Sequence, residues 1–278
     1  MVMSRAEVFR ATGPGSPMHA TIKTGTKKDG TLTACYAKII MDAGAFPGSP
    51  IGGASVVSFG PYKVDNLKIE GYDVCVNKPR SCAYRAPGAP NATFSAETVL
   101  EEIAEKLSID SIDIRLRNAA VEGVTSATGV EWPRIGLEET LEAARGHPHY
   151  SAPLGLNQGR GIASGWWMNG GGLSSATLQI NEDGTASVAE GSPDIGGSRA
   201  AMAMIVSEEL GIPVEKVRPQ VADTESVGYT GVTGGSRVTY ATGWAVFNAC
   251  RDAIQQLLEG ASQIWEVDVD QVEWSDGK

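Results

Sequence analysis

Apolar and polar positions alternate from His19 to Ile40, broken only at Lys28-Asp29-Gly30, with Ile22 before the break and Leu32 after it. Alternation on both sides of an Asp-Gly pair predicts a β-hairpin. Lys68–Val76 alternates less cleanly and is predicted as a further strand. From Pro90 the period changes. Val99, Leu100, Ile103, Ala104 and Leu107 recur at helical spacing behind a proline suited to a first helical turn, which predicts an amphipathic helix.

The second half repeats this grammar. Ala176–Ala189 reads as a hairpin around Glu182-Asp183-Gly184. A glycine-rich loop follows, then a helix over 199–210 in which Met202, Ile205, Val206 and Leu210 share one face. A last helix, roughly Thr239–Ile264, carries Val246, Ala249, Cys250, Ala253 and Leu257 on one face. Leu107-Ser-Ile-Asp and Leu210-Gly-Ile-Pro each lead to an arginine, Arg115 and Arg218, at the same spacing. Hairpin, loop, helix and this motif together predict an internal repeat of two α+β units.

Between them, Val121–Asn157 is rich in glycine and proline and encloses one short helix near Leu137–Arg145, so it reads as a connection. Ala43–Tyr62 is uncharged over twenty residues, but Pro47, Pro50, Pro61 and five glycines would break a spanning helix, so a loop is expected there. Met1-Val-Met-Ser-Arg-Ala-Glu reads as a strand end entering a helix cap, and the last residues stop as if before a turn. Both suggest a piece of a longer chain.

Composition narrows the function. A length of 278 residues, 42% hydrophobic and 20% charged, describes an ordinary globular chain of one large or two ordinary domains. A net charge of -10 with no basic run argues against nucleic acid or an anionic membrane as partner. Cys35, Cys75, Cys82 and Cys250 form no C-x-x-C pair and are expected as buried thiols in a reducing, cytoplasmic compartment. His147 and His149 lack a helical ligand spacing, so no metal is assigned.

Glycines carry the candidate chemistry. Gly196-Gly197-Ser198 and Gly234-Gly235-Ser236 each open a predicted helix, where close backbone approach and free amides suit an anion. Either stretch taken alone is also an ordinary glycine turn with a capping residue. Arg199 and Arg237 follow these loops and suit a phosphate, or a salt bridge with Asp194 or Asp223. Arg85, held among Pro and Gly between a strand and a helix, could clamp a carboxylate or a developing oxyanion. A surface ion pair explains it as well. Trp166 and Trp167, beside Gly170-Gly-Gly172, could wall an aromatic pocket or serve as packing. Without a lysine after either Gly-Gly-Ser, a nucleotide enzyme ranks last.

At Asn77-Lys-Pro through Ala83-Tyr-Arg-Ala-Pro-Gly-Ala-Pro-Asn91 the chain resembles the molybdenum hydroxylases, the large molybdopterin-binding subunits of xanthine dehydrogenase, aldehyde oxidase and carbon monoxide dehydrogenase type. The likeness continues at Ile112-Asp-Ile-Arg-Leu-Arg-Asn118, at Pro193-Asp-Ile-Gly-Gly-Ser-Arg199 and at Thr233-Gly-Gly-Ser-Arg-Val-Thr239. The resemblance implies an α+β fold of two related units, each a mixed sheet with helices on one face. Residues 1–120 would end a first molybdopterin-binding domain, 121–157 connect, and 158–278 begin a second.

The resemblance also implies hydroxylation of an aldehyde, N-heterocycle or related small substrate with water-derived oxygen. The cofactor would be molybdopterin, as such or as its cytosine dinucleotide, with iron–sulfur clusters and FAD on partner domains or subunits. Arg85 would orient substrate or stabilise negative charge, Gly234, Gly235, Ser236 and Thr239 would bind the pterin's phosphate, and Gly196, Gly197 and Ser198 would lie beside the molybdenum and pterin.

Three departures accompany the likeness. Gly196-Gly197-Ser198 stands where the family often has Gly-Gln-Gly, and the motif ending Phe-Gly-Gly does not occur. Nor does the Gly-x-Gly-Glu motif that carries the family's catalytic glutamate. These residues alone are therefore expected to be an inactive portion of a larger subunit, prone to dimerise through bared apolar faces. The competing expectation is a non-catalytic α+β binding or assembly module descended from that family.

Overall fold

A computed structural model describes residues 3–221 and 223–278. The chain divides into two compact units, Met1–Trp167 and Met168–Lys278. In the first unit, helix α1 (Arg5–Ala11) starts at a capping box in which Ser4 and Glu7 bond each other's backbone amides. Strands β1 (Met18–Thr26) and β2 (Leu32–Gly44) form the expected antiparallel hairpin. After helix α2 (Ile51–Val57), strand β3 (Leu67–Cys75) returns parallel to β2, completing a mixed sheet in the order β1-β2-β3. Helices α3 (Ala89–Leu107), α4 (Ser111–Arg117), α5 (Leu137–Gly146) and the single turn α6 (Pro148–Ser151) follow.

The sheet's inner face (Cys35, Ala37, Ile39, Met41) packs on α2 and α3 through Ala54, Val57, Ala92, Ala96 and Leu100. Small residues on the helices let them approach closely. Ala43–Tyr62 therefore contains helix α2 where a loop was expected. Its glycines serve a close approach, since a Cβ at Gly53 would lie 2.5 Å from the Pro87 carbonyl.

The second unit has the same order. Strands β4 (Ala176–Ile180) and β5 (Ala186–Glu190) pair antiparallel, helix α7 (Ser198–Leu210) crosses over, and β6 (Val217–Val221) returns parallel to β5. A wide turn (Val238–Thr242) with i→i+5 geometry then enters α8 (Gly243–Trp265). Met202, Val206 and Leu210 of α7 are buried against Ala186, Val188, Val246 and Cys250.

Two expectations are corrected. The buried stripe of α8 is Val246, Cys250 and Ile254, with Leu258 packed beside it. Ala249 and Ala253 are only half-buried and Leu257 is exposed, because Gly243 brings the helix against Ile205 of α7 and rotates the contact face. The repeat itself is real in the sheets, but the matched Leu-x-Ile motifs are not equivalent. Leu107–Arg115 runs into helix α4, which Asp110 caps through the amides of Ile112 and Asp113. Leu210–Arg218 instead runs through Pro213 into strand β6. The true counterparts are α2 with α7 and α3 with α8.

Candidate functional site

In both units the connection from the third strand to the long helix carries candidate residues, Arg85 in the first and Gly234–Ser236 with Thr239 in the second, whereas Gly196–Ser198 lie between β5 and α7 and Trp166 and Trp167 between α6 and β4. In the first unit that connection is residues 76–88. Ala86 has φ 52°, and Gly88 has φ 82° with its missing side chain 2.5 Å from the Pro50 carbonyl, so a side chain there would collide with the start of α2. Arg85 leaves this turn into solvent, and among the described residues it makes no hydrogen bond or ion pair. Its neighbours Tyr84 and Pro87, with Cys82, Asn91 and Phe94, line an open cleft of about 490 Å³. Tyr84 and Phe94 are 70% and 75% exposed, so the cleft presents an aromatic rim, and Arg85 itself is not among the residues that line it.

Behind that turn lies a buried polar cluster that fixes the first unit. Arg115, fully buried, donates to Glu97 at 3.0 Å, to Glu101 at 2.9 Å and to the Ser111 carbonyl at 2.7 Å. Glu97 also accepts from the Tyr62 hydroxyl and from the Ser164 amide at 2.7 Å. Burial first, then the Glu97 charge, pushes the Tyr62 phenol far above its ordinary range. Three residues on from Arg115, Asn118 grips the hairpin turn, accepting from the Leu32 amide and donating to the carbonyls of Gly30 and Ile114.

Ser164 leads to Trp166 and Trp167, both packed against the first unit's core. Trp166 meets Trp132 edge-on at 4.7 Å, and neither tryptophan's indole N–H has a partner among the described residues. Of the cysteines, Cys35 and Cys250 are buried and burial pushes both thiols up to about 11. Cys75 and Cys82 are exposed, correcting the expectation that all four are interior. Cys75 ends the edge strand β3 and Cys82 lies on the loop that follows it, so neither has a packed layer over it.

In the second unit three loops meet. The Gly170 amide donates to the Gly235 carbonyl and the Gly231 amide to the Leu173 carbonyl, so Gly170–Leu173 runs beside Gly231–Gly235. Arg237 lies between them. Its guanidinium donates to the carbonyls of Gly171 (2.7 Å), Gly231 (2.9 Å) and Leu173 (2.5 Å) and to the Ser174 hydroxyl (2.8 Å). Arg237 is thus spent on the loops themselves and neither faces a phosphate nor pairs with Asp194 or Asp223.

The third loop is Glu190–Ser198. Its Ser192 hydroxyl lies 2.9 Å from that of Thr242, which lies 2.9 Å from that of Ser174. Ser174, just after Gly170–Leu173, Thr242 at the end of the wide turn and Ser192 on the third loop thus form a line of hydroxyls, buried at Thr242 and Ser192 and half-buried at Ser174. At the entrance to α7, Asp194 accepts from the Arg199 amide and the Ser198 hydroxyl, and the Arg199 amide above all holds its carboxyl below the usual range. The protein's own carboxylate therefore sits where an anion would approach that helix.

The Gly-Gly-Ser stretch before α8 is different. Gly234, Ser236 and Thr239 are exposed, and the amides of Gly234, Gly235 and Ser236 have no partner among the described residues. A Cβ at Gly234 would meet nothing within 4 Å. The nearby hydroxyls of Thr230 and Thr233 are buried and unpartnered. Exposed donors with open space above them fit an anionic group such as a phosphate.

Ser174, Ser192, Thr242 and Glu190 escaped sequence reasoning. One signal was available for Glu190: it occupies the inward position of an alternating strand after Ala186 and Val188, where an apolar residue is the rule.

Paired mixed sheets, each feeding a loop-bearing connection into a long helix, define an α+β architecture of two related units. A molybdopterin cofactor-binding domain family matches residues 1–119, and a second family of the same description matches 134–278. The chain belongs to the molybdopterin cofactor-binding domain family. It is 30% identical over 266 residues to the aldehyde oxidoreductase of Megalodesulfovibrio gigas, covering 88% of this chain and 29% of that protein. It is 31% identical over 273 residues to the xanthine dehydrogenase molybdenum-binding subunit of Escherichia coli O157:H7, covering 89% of this chain and 35% of that one. The crystal structure of the aldehyde oxidoreductase from Desulfovibrio desulfuricans superposes with a TM-score of 0.71 at 26% identity, over 89% of this chain and 29% of that chain. The chain thus spans about a third of the length of these relatives. No helix among the described residues is long and apolar enough to cross a membrane.

Proposed function

We propose that these residues form part of the molybdopterin-binding region of a molybdenum hydroxylase that oxidises an aldehyde, an N-heterocycle or a related small substrate with oxygen drawn from water. The observation that carries this reading is the donor-lined Gly234–Ser236 stretch, open above Gly234 and held by the Gly170 amide on the Gly235 carbonyl, in a chain of the molybdopterin cofactor-binding family. Bound there, the cofactor would supply two-electron redox chemistry.

The chain's own residues hold and orient. The amides of Gly234, Gly235 and Ser236 and the Thr239 hydroxyl are assigned to the pterin's phosphate, and Gly196, Gly197 and Ser198 to its flank. The buried Arg237 cation behind the loop adds positive potential without direct contact. Arg85, exposed and without a partner among the described residues, on the turn whose Tyr84 and Pro87 line the cleft, is assigned to substrate orientation or to a developing negative charge. Trp166 and Trp167 are assigned as pocket walls. No Gly-x-Gly-Glu motif occurs in these residues, so the reading places the general base elsewhere in the subunit. It also places iron–sulfur clusters and FAD on partner domains or subunits, in the cytoplasm.

Molybdenum analysis after expression in a cofactor-competent host tests this. It would use the longest natural chain carrying these residues, beside the 278-residue chain. Molybdenum near one per long chain, with dye reduction by an aldehyde or heterocycle lost in Arg85→Met, is expected. A molybdenum-free long chain would refute the reading. It would favour the non-catalytic module.

A further inference from the structure

Helix α8 is apolar on more than the face it buries. Periodicity places Ala249, Ala253 and Leu257 on one stripe, yet Ala249 and Ala253 stay half-buried and Leu257 exposed. An apolar stripe that keeps the helical period without a covering layer marks a contact made elsewhere. With Ala176, Leu178 and Ile180 of β4, this stripe lines a groove of about 780 Å³ along the edge of the second sheet.

The edge itself is open. At the hairpin turn the Asn181 amide donates to the Thr185 carbonyl at 2.8 Å, and hydrogen-bonded residues alternate along an antiparallel pair. Thr177 and Gln179 therefore bond to β5. Ala176, Leu178 and Ile180 turn their N–H and C=O groups outward, where they have no partner among the described residues.

Proteins blunt a free edge with charge, proline or a bulge. β1 carries Lys23 and a bulge at Gly25 and Thr26, β3 carries Lys68, Glu70 and Asp73, and β6 carries Arg218 and Pro219. β4 is Ala-Thr-Leu-Gln-Ile, with no charge and no proline, and its register with β5 is unbroken. This edge is built to be paired.

We propose that β4 receives one further strand, lying in the groove beside α8 and contributed by the rest of the same subunit. Backbone pairing to β4 would hold it, and its alternate side chains would cover Ala249, Ala253 and Leu257. Two arguments choose this occupant. The chain spans only 29% of one relative and 35% of another, so most of each of those proteins lies outside the matched region. A second copy would bring its own α8 along with its own β4 and set two helices on one groove, whereas a bare strand needs only the groove. The inference rests on the reading that these residues belong to a longer subunit, and it needs no bound cofactor.

Hydrogen exchange on the longest natural chain carrying these residues tests the pairing. The Thr177 and Gln179 amides, already bonded to β5, are the internal standard. Leu178 and Ile180 should exchange within about threefold of that standard if a strand covers them, and about tenfold faster or more if the edge is open. Ala253→Glu puts a charge into the groove at a half-exposed position. It should speed Leu178 and Ile180 about tenfold and leave Thr177 and Gln179 within about twofold. The photo-crosslinker p-benzoylphenylalanine in place of Gln256, on the rim of the groove, identifies the occupant. The expected product has the mass of one chain and joins Gln256's position to a segment outside residues 1–278.

Open-edge rates at Leu178 and Ile180 in the unsubstituted chain would overturn the proposal. So would a cross-linked product with the mass of two chains, or Ala253→Glu with unchanged rates at those two amides. A molybdenum-bearing chain with an open β4 edge would sink this inference alone. A molybdenum-free chain with a covered edge would refute the proposed function and leave the inference standing.

Discussion

Replacing Arg237 by methionine separates its role from that of Arg85. The side chain of Arg237 is 5% exposed and makes four hydrogen bonds, three to carbonyls and one to Ser174. Methionine fills much of the volume and none of the bonds. A buried hydrogen bond contributes roughly 0.5–1.5 kcal/mol net, more from a charged donor, so four bonds set a loss of about 4 kcal/mol. The loops are partly exposed, and water can reclaim some of the freed carbonyls, which lowers the expectation to about 3 kcal/mol. That is a large part of the ~5–15 kcal/mol a domain possesses. Urea unfolding read by hydrogen exchange at α7 and α8 amides reports the second unit specifically. Arg237→Lys, with fewer donors and no planar fork, should recover roughly half of the loss. Arg85→Met, at an exposed site without a partner, should stay within about 0.5 kcal/mol of the wild type. A loss below about 1 kcal/mol in Arg237→Met would refute the assignment of its bonds as the loop clamp.

Three further outcomes follow from the same geometry. Arg115→Leu leaves Glu97 buried without its cation and should cost about 3–5 kcal/mol in urea unfolding of the first unit; a near-neutral result would mean Glu97 finds another partner. Asn118→Ala removes one accepted and two donated bonds at the hairpin turn and should cost about 2–4 kcal/mol, with faster amide exchange at Gly30 and Leu32 first. Burial raises the Glu190 carboxyl above the ordinary value, only partly offset by hydrogen bonds from Ser192, while Asp194 adds to the rise and Arg199 opposes it. The folded state therefore holds that proton more tightly than the unfolded chain. Its contribution is full below the unfolded pKa of about 4.3 and declines as pH rises through the higher folded value. The stability of the wild type minus that of Glu190→Gln should accordingly fall as pH rises above the unfolded value of about 4.3; a constant or rising difference would contradict the burial assigned to Glu190.

Periodicity made both hairpins, α3 and α7 legible, because each keeps one period over enough residues to exceed the noise of single positions. Helix α2 was hidden by its own composition. Ile51-Gly-Gly-Ala-Ser-Val-Val57 has poor helix formers, and only packing against the turn before α3 makes those glycines useful. The α8 stripe was misjudged by part of a turn, since which side of an apolar helix is buried depends on the neighbour it meets. The motifs Ile112–Asn118 and Thr233–Thr239 could be matched to a family from sequence. Their work inside the fold, Asn118 on a turn some ninety residues earlier and Arg237 on carbonyls more than sixty residues away, is carried by contacts that no local pattern encodes.

The two arginines show where local reading stops. Arg85 and Arg237 occupy equivalent connections, each between the third strand of a sheet and the long helix that covers it. Each has glycine nearby, and each could be read as an anion clamp or as a structural cation. What separates them is the supply of acceptors. In the second unit the Gly170–Leu173 segment runs beside Gly231–Gly235 and turns three carbonyls onto one guanidinium, which buries the charge and satisfies it internally. In the first unit Gly88 and Gly53 draw the turn against α2, and among the described residues no carbonyl accepts from Arg85. A charge whose hydrogen bonds are complete inside the protein stabilises the loop around it. A charge left without a partner on an exposed turn is available to a ligand. The repeat thus carries the same residue type to two equivalent places and, through the loops packed beside it, leaves one arginine buried and satisfied and the other exposed and unpartnered among the described residues.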